Sequence, residues 1–535
     1  INTKIKASGN GTDIKTLKVK LAVDSWNSSF SNYRYNNLVF KADIDNSILK
    51  VDSLYVMFSG NYEKDSLFLA ESPKSYVFAK AMLNLVNLSN PKYDIDLKYK
   101  SINLSKLLNN PSMPEELSGK MSFNGSGIHL DSIEGNISNF VEQATFHDRS
   151  LFPFSTSIKL ERLPADYRRL SLNSDYLDIN LEGKYNYNTF LSLIKNQGTY
   201  LSYYFLKKIN SINPTVSRAY IDSLESQFER IIYFDPMKFT LQAEVKDIAI
   251  LNTFLDDIEI YSEMNLKMDW NVDSTTSNIA IDSLNITSFQ MKSSGLSLLT
   301  TPMLAAASIK MSIIDSLPKL DNMKLSAKCE DKVFLNENTI AKPFIELDFD
   351  GNAADFRFGA LYNDKLDILS KGSFLLGDTI QDLAIDELNI KYNNKLQWNL
   401  ASPVAIQLVN KKIDINSFVL KRENAEKLII SGSLTDNLAK DLVVRLDNFP
   451  LSTLKDLSPE KNETLEQLSG LVSDVKISIN GSFDEPNIEL LSHLKDIKLE
   501  KDSIGDVDLQ INYDDKMANG HIRLATNILQ NKKAM

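Results

Sequence analysis

The sequence has 535 residues, 43% of them hydrophobic and 24% charged, a composition typical of folded globular chains and not of disordered ones. The net charge of −11 gives no basic footprint, so no nucleic-acid partner is expected. Four histidines and one cysteine leave few metal ligands and exclude an intramolecular disulfide. Length alone suggests three or four ordinary domains.

The dominant pattern, from the early segment 93–99 onward, is strict alternation of apolar and polar residues. A period of two predicts strands with one apolar and one polar face. Parallel sheets between helices show continuous apolar runs instead, so a doubly wound fold is disfavoured. Short clusters rich in Asn, Asp, Gly and Ser separate the segments, which favours antiparallel hairpins and about 30 strands.

One stretch, residues 188–234, changes to a helical period. Phe190, Leu193 and Ile194 begin it, Phe228 and Ile231 fall near its end, and Pro214 divides it into two helices. Two interpretations stay open for this helical hairpin. It packs on the sheet, or it forms a lid or interfacial element that touches lipid or a partner. The predicted organisation is therefore a β segment at 1–184, the hairpin at 185–235 and a β segment at 236–535.

Weak internal repetition also runs through the chain. Leu117-Ser118-Gly119 and Leu468-Ser469-Gly470 each precede an alternating strand, and each follows a similar stretch, 102–107 or 449–454. Each unit is predicted to be a strand, a short helical turn and a new strand. Recurrence of such a unit favours modules that stack in one direction.

The sequence offers no catalytic or metal-binding constellation. The four histidines have no helical spacing to one another, and no nucleophile elbow, phosphate loop or dinucleotide fingerprint is present. His147-Asp148, Asp256-Asp257 and Asp514-Asp515 are interpreted as solvated turns, and the single Cys329 as a buried residue. We therefore predict a protein that is not an enzyme, with no metal and no cofactor.

The apolar face of the strands is the remaining candidate for function. Sandwiches would bury it between sheets, a transmembrane barrel would turn it toward lipid, and a sheet folded lengthwise would leave it lining a groove. The chain lacks the linkers of a string of sandwiches and the aromatic girdles of a barrel, so the groove is favoured. The residues expected to line it are Phe239, Leu241, Val245, Met264, Leu266, Met268, Trp270, Val475, Ile477, Ile479, Val507, Leu509 and Ile511.

The segment 396–434 resembles a recurrent block of the TamB proteins, within the wider AsmA-like group. Trp398 lies in an alternating strand, Pro403 begins the next, and a later strand ends at Gly432. The order of motifs continues with Gly481-Ser482-Phe483, Pro486, Ile504-Gly505 and Tyr513-Asp514. The early unit at Leu117 is similar to another copy.

The resemblance implies an all-β fold in which a long, twisted, mainly antiparallel sheet is folded into an elongated U-shaped hydrophobic groove, a β-taco, with one inserted helical hairpin. It implies a place in the Gram-negative periplasm, transfer of phospholipid between the inner and outer membranes, and support of outer-membrane protein assembly with a partner barrel. The implied partners are phospholipid acyl chains, an outer-membrane assembly barrel of the TamA type, and the inner membrane through a segment outside this chain. The sequence is accordingly expected to be an internal portion of a longer protein.

Two alternatives stay open. The first is a scaffold or chaperone whose sheet edge templates the β-strands of outer-membrane barrel clients without carrying lipid. The second is an extracellular β-sandwich adhesin with closed cores. Copurified lipid would favour the lipid-transfer function. Crosslinks between the sheet edge and client strands would favour the scaffold, and compact domains with closed cores would favour the adhesin.

Overall fold

The computed structural model describes most of the chain. The described residues are 2–30, 33–58, 75–146, 149–151, 153–212, 216–227, 235–248, 252, 258–293, 295–315, 317–376, 380–409, 412–422, 426–435, 438–454, 467–500, 502–514 and 517–525. Pro214, Phe228, Ile231, His147-Asp148, Asp256-Asp257 and Asp515 lie outside them. The chain forms two compact units, one of residues 1–194 and 232–299 and the other of residues 195–231 and 300–535.

The strands up to the unit boundary are β1 (Asn2–Asn10), β2 (Lys18–Phe30), β3 (Tyr33–Asp45), β4 (Ile48–Phe58), β5 (Tyr76–Asn84), β6 (Lys92–Ile102), β7 (Glu116–Ser126), β8 (Glu134–Phe146), β9 (Arg149–Leu151), β10 (Phe154–Arg162), β11 (Tyr167–Ser174), β12 (Leu177–Lys184), β13 (Met237–Val245), β14 (Ile258–Val272), β15 (Thr276–Ser293) and β16 (Leu296–Thr300). The helices are α1 (Leu104–Leu107), α2 (Tyr187–Ile212) and α3 (Arg218–Ser226).

The strands that follow are β17 (Met303–Ile314), β18 (Leu317–Cys329), β19 (Lys332–Leu335), β20 (Asn338–Asp350), β21 (Ala353–Tyr362), β22 (Leu366–Leu376), β23 (Ile380–Tyr392), β24 (Leu396–Leu400), β25 (Val404–Val409), β26 (Lys412–Lys421), β27 (Lys427–Leu434), β28 (Leu438–Pro450), β29 (Leu468–Ser482), β30 (Pro486–Leu499), β31 (Asp502–Asp514) and β32 (Met517–Ala525). Short 3₁₀ turns occupy Leu130–Ser132, Pro164–Asp166 and Leu451–Thr453.

The predicted all-β class is confirmed, with antiparallel pairing and inserted helices. The helical hairpin is present as α2 and α3, and the boundary between the units falls within α2, after Ile194. The division into three segments at 184/185 and 235/236 followed the change of period, and it stays a prediction.

In the first unit, the register aligns the apolar positions of neighbouring strands. A continuous row takes one residue from each of fourteen strands, β1–β8 and β10–β15, and we call it the first-unit row. Its members are Ala7, Leu21, Ala42, Val51, Ala81, Ile95, Phe123, Ile137, Ile158, Leu172, Ile179, Ala243, Leu266 and Leu284. With strands about 4.8 Å apart, the row extends over about 60 Å.

The second unit shows the same alignment in two shorter rows, because a bulge in β26 between Ile415 and Phe418 shifts the register. We call them the second-unit rows. One contains Ile309, Met323, Phe349, Ala354, Phe374, Leu383, Ile406 and Ile415. The other contains Phe418, Ile430, Val444, Ile477, Leu490 and Ile511.

The repeated unit predicted from the sequence is also present, once in each unit. Helix α1 connects β6 to β7, and the 3₁₀ turn Leu451–Thr453 lies between β28 and β29. A left-handed residue lies close to the end of both first strands, Ser101 at φ +48° in β6 and Asn448 at φ +54° in β28. The next residue in each case, Ile102 or Phe449, is buried. The left-handed step turns that apolar side chain inward and starts the helical turn.

Candidate functional site

The apolar face of the first unit contains seven of the predicted groove residues. They lie on β13 and β14 and pair directly, Phe239 with Trp270, Leu241 with Met268, and Val245 with Met264, while Leu266 pairs with Ala243. Leu241, Val245, Met264, Leu266 and Met268 are half-buried. The sequence therefore placed these side chains on one face, and the register brings them together.

Phe239 and Trp270 differ from the other five because they are buried, at 2% and 4% exposure. Phe190 of α2 covers them, with its ring centroid 5.0 Å from that of Phe239 and 6.5 Å from that of Trp270. The Trp270 Nε1–H donates to the Ser277 hydroxyl at 2.9 Å, which satisfies the buried indole. This aromatic cluster lies near the start of β13 and the end of β14.

The start of α2 is held in place by Asp131 from the 3₁₀ turn after β7. The Tyr187 backbone N–H donates to Asp131 Oδ1 at 2.7 Å, so the carboxylate satisfies an N–H at the start of the helix. The Arg168 guanidinium lies over the Tyr187 ring at 5.6 Å and donates to the Asp131 carbonyl. Burial raises the pKa of both Tyr187 and the neighbouring Tyr185. Sequence reasoning missed Asp131, because nothing in its local pattern connects it to a helix 56 residues later.

The other six predicted residues lie in the second unit, on β29 and β31. Strand β30 lies between them, so that Ile477 and Ile511 both pair with Leu490. Val475, Ile479, Val507 and Leu509 share their face, and all six are half-buried. The sequence predicted only that each of these strands has an apolar face, and the register through β30 makes the two faces parts of one apolar surface.

Three phenylalanines of the second-unit face, on β21 and β22, were not among the predicted residues. Phe356 stacks on Phe358 with ring centroids 6.1 Å apart, and the ring centroid of Phe374 lies 6.3 Å from that of Phe356. Phe358 is 39% exposed, and its direct partner Ile345 is 42% exposed. The alternation of Phe356 and Phe358 with Asp355 and Arg357 in the sequence was the signal that could have identified this aromatic cluster.

The second half of α2 packs on the second unit. The Tyr200 hydroxyl accepts from the Leu320 backbone N–H at 3.0 Å, and the Tyr204 hydroxyl donates to the Gly351 carbonyl at 2.8 Å. The Tyr204 ring contacts the fully buried Phe349 edge-on, at 6.0 Å between centroids. Burial raises the pKa of Tyr204 to about 12. In both units, the described part of α2 packs against sheet residues, as the first interpretation of the hairpin expected.

The polar side chains of the described residues form no cluster of three or more metal ligands. Cys329 is buried, with its sulfur 3.0 Å from the Thr301 hydroxyl. The register places His493 opposite Asp508, with Nδ1 2.5 Å from a carboxylate oxygen, but both side chains are exposed. Within the described ranges, every helix is too short or too polar to span a bilayer.

Comparison with known proteins identifies no relative: no family model and no curated protein matches the chain. The resemblance to TamB proteins therefore stays a hypothesis that rests on the motifs themselves.

Proposed function

We propose that the apolar faces of this protein bind the acyl chains of phospholipids and carry them between the two membranes of a Gram-negative envelope. The observation that carries the proposal is the first-unit row. Apart from Ala7, which is exposed, and Ala42, which is buried, its residues are half-buried. Soluble proteins rarely expose a contiguous apolar surface larger than a few hundred Å² unless it binds something.

Acyl chains are a suitable ligand for such a row. Each methylene that leaves water contributes about 0.8 kcal/mol, so two chains supply enough free energy to hold a lipid on the face. Apart from Phe123, the row repeats an aliphatic or small side chain from strand to strand, which makes successive positions nearly equivalent. A lipid can then move along the row without meeting a deep trap.

The motif resemblance supports the envelope setting. From it we propose the periplasm as the location, a TamA-type barrel as the outer-membrane partner, and an inner-membrane anchor outside this sequence. The scaffold alternative predicts a different ligand, a client β-strand, at the sheet edge.

Photo-crosslinking in a Gram-negative host tests the proposal. A photoreactive phenylalanine analogue at Leu266 or Ile477 faces the apolar side, whereas the same analogue at Asn265 or Lys476 faces the polar side of the same strand. We expect phospholipid adducts at the first two positions and none at their neighbours. Adducts to outer-membrane barrel polypeptides without lipid would support the scaffold, and equal lipid labelling at all four positions would reject the proposal.

A further inference from the structure

The opposite, polar face of the first unit contains an open cavity of about 830 Å³ over β5–β8, β10 and β11. This volume is within the range of small-molecule sites. Four lysines and two aspartates contribute to its lining, together with serine hydroxyls and two phenylalanine rings. No member of the first-unit row lines this cavity, although Leu97 and Met121 of the apolar face contribute to its lining.

Two phenylalanines break the alternation here, because they lie on the polar face. The register places Phe78 opposite Lys98, Lys98 opposite Lys120, and Lys120 opposite Phe140. The four side chains form one row across β5–β8, with two cations between two aromatic rings. The Lys120 Nζ lies 5.4 Å from the Phe140 ring centroid, and the Lys80 Nζ lies 5.9 Å from the Phe78 ring centroid, so an ammonium group lies over each ring.

The two central lysines are a directly opposed pair of like charges, an arrangement that destabilises a sheet. The other charged side chains of the cavity face an opposite charge in the register, form an ion pair or accept a hydrogen bond. Lys246 pairs with Asp178 at 2.8 Å, Lys80 lies opposite Asp96, and Asp175 accepts from the Ser155 N–H. Within the described ranges, Lys98 and Lys120 have no ion-pair partner.

A ladder of hydroxyls lies beside the row of Lys120 and Phe140, two residues along β7 and β8, and the ladder continues into Asp96 on β6. Ser122 pairs with Ser138, and Ser138 pairs with Ser157. Ser138 and Ser157 are exposed. A ligand that satisfies this surface carries an anionic group for the lysines, hydroxyls for the serines, and flat C–H faces for the phenyl rings.

We propose that this cavity binds an acidic carbohydrate, a sugar chain that carries carboxylate groups. The carboxylates lie between Lys98 and Lys120, and the sugar hydroxyls bond to the serine ladder. The C–H groups of the sugar contact Phe78 and Phe140 beside the ammonium groups of Lys80 and Lys120, which lie over the two rings. This site is independent of the proposed lipid binding, because it lies on the other face of the sheet and uses no residue of the rows.

Titration calorimetry on the full chain tests the site, with an oligogalacturonate of four residues as the probe. The charge-removing double variant Lys98→Gln/Lys120→Gln is compared with Lys98→Arg/Lys120→Arg, which keeps both charges. Lys310→Gln/Lys371→Gln is the matched control, because it removes two exposed lysines of the second unit. Uncharged maltotetraose tests the need for the carboxylates.

We expect the Lys98→Gln/Lys120→Gln variant to bind the oligogalacturonate at least tenfold more weakly, whereas the arginine variant and the control change its affinity less than threefold. Binding should also weaken with added salt, since the site is solvent-exposed. Absence of measurable binding to the wild-type chain at millimolar probe, equal binding of maltotetraose, or an unchanged affinity in the Lys98→Gln/Lys120→Gln variant would each overturn the proposal. Binding of anionic phospholipid vesicles through these lysines, with no oligogalacturonate binding, would assign the site to a membrane surface instead.

Discussion

Leu266 lies on the apolar face of β14, so a charged residue at this position tests the proposed lipid binding. A glutamate there places a charge near the β15 end of the first-unit row, where an acyl chain would have to cover it. We expect Leu266→Glu to lower the phospholipid that copurifies with the chain at least threefold, measured by mass spectrometry of solvent extracts.

Asn265→Glu is the matched control for this variant. It adds the same charge one residue earlier, on the exposed polar face. Its lipid content should equal that of the wild type, and circular dichroism should show that both variants stay folded. A loss of lipid as large in Asn265→Glu as in Leu266→Glu would contradict the assignment of the faces.

Phe190 supplies the ring that covers Phe239 and Trp270. Its truncation leaves a cavity against two buried aromatic residues, so we expect Phe190→Ala to lower the free energy of unfolding by about 2–4 kcal/mol. Leu191→Ala is the control, because Leu191 is 58% exposed. Urea unfolding followed by tryptophan fluorescence measures both, and equal effects of the two substitutions would show that Phe190 does not cover the cluster.

The raised pKa of Tyr204 predicts that the free energy of unfolding depends on pH. Its pKa is raised by burial from 10.0 to about 12, so the folded chain keeps the phenol proton at pH values where the unfolded chain loses it. The stabilising contribution is therefore complete below about pH 10 and is lost as the pH rises toward 12.

The matched variant is Tyr204→Phe, which removes both this titration and the hydrogen bond to Gly351. The wild type should be more stable by about 1 kcal/mol at pH 8, and the difference should shrink between pH 10 and 12. Urea unfolding at several pH values measures it. A difference that stays constant over this range would mean that the phenol is not protected in the folded chain.

At the scale of elements, the attachment of α2 to the first unit depends on Asp131. Because its carboxylate accepts from the Tyr187 N–H, we expect Asp131→Ala to destabilise the chain by about 1 kcal/mol, as loss of a helix cap does. Hydrogen exchange should report faster exchange in the first turn of α2 and little change in α3. Uniformly faster exchange along both helices would indicate that the start of α2 is held by other contacts.

Alternation predicted which side chains share a face, because a strand places successive residues on opposite sides whatever its partners are. The register agrees with this for Leu266 among the first-unit residues and for Ile477 among the second-unit residues, each within its own unit. That these residues line a groove stays a prediction. Alternation could not predict that Phe190 covers Phe239 and Trp270, since this contact depends on the direction in which α2 leaves the sheet. Nor could it predict the row of Phe78, Lys98, Lys120 and Phe140, which exists only in the register of four paired strands.

At the scale of the whole molecule, each unit has its own apolar surface. The first contains a continuous row and the second contains two rows offset by the β26 bulge. If both surfaces bind lipid, each contributes separately to the amount of lipid that the chain carries. The variants Leu266→Glu and Ile477→Glu should then lower the lipid content in steps, and the double variant should lose the sum of both.

Native mass spectrometry of the full chain, released gently from detergent, tests the central claim most directly. We predict mass increments of whole phospholipids, more than one per chain, which are fewer in Leu266→Glu and unchanged in Asn265→Glu. A chain that carries no phospholipid after mild purification, and takes up none from labelled vesicles, would contradict the account.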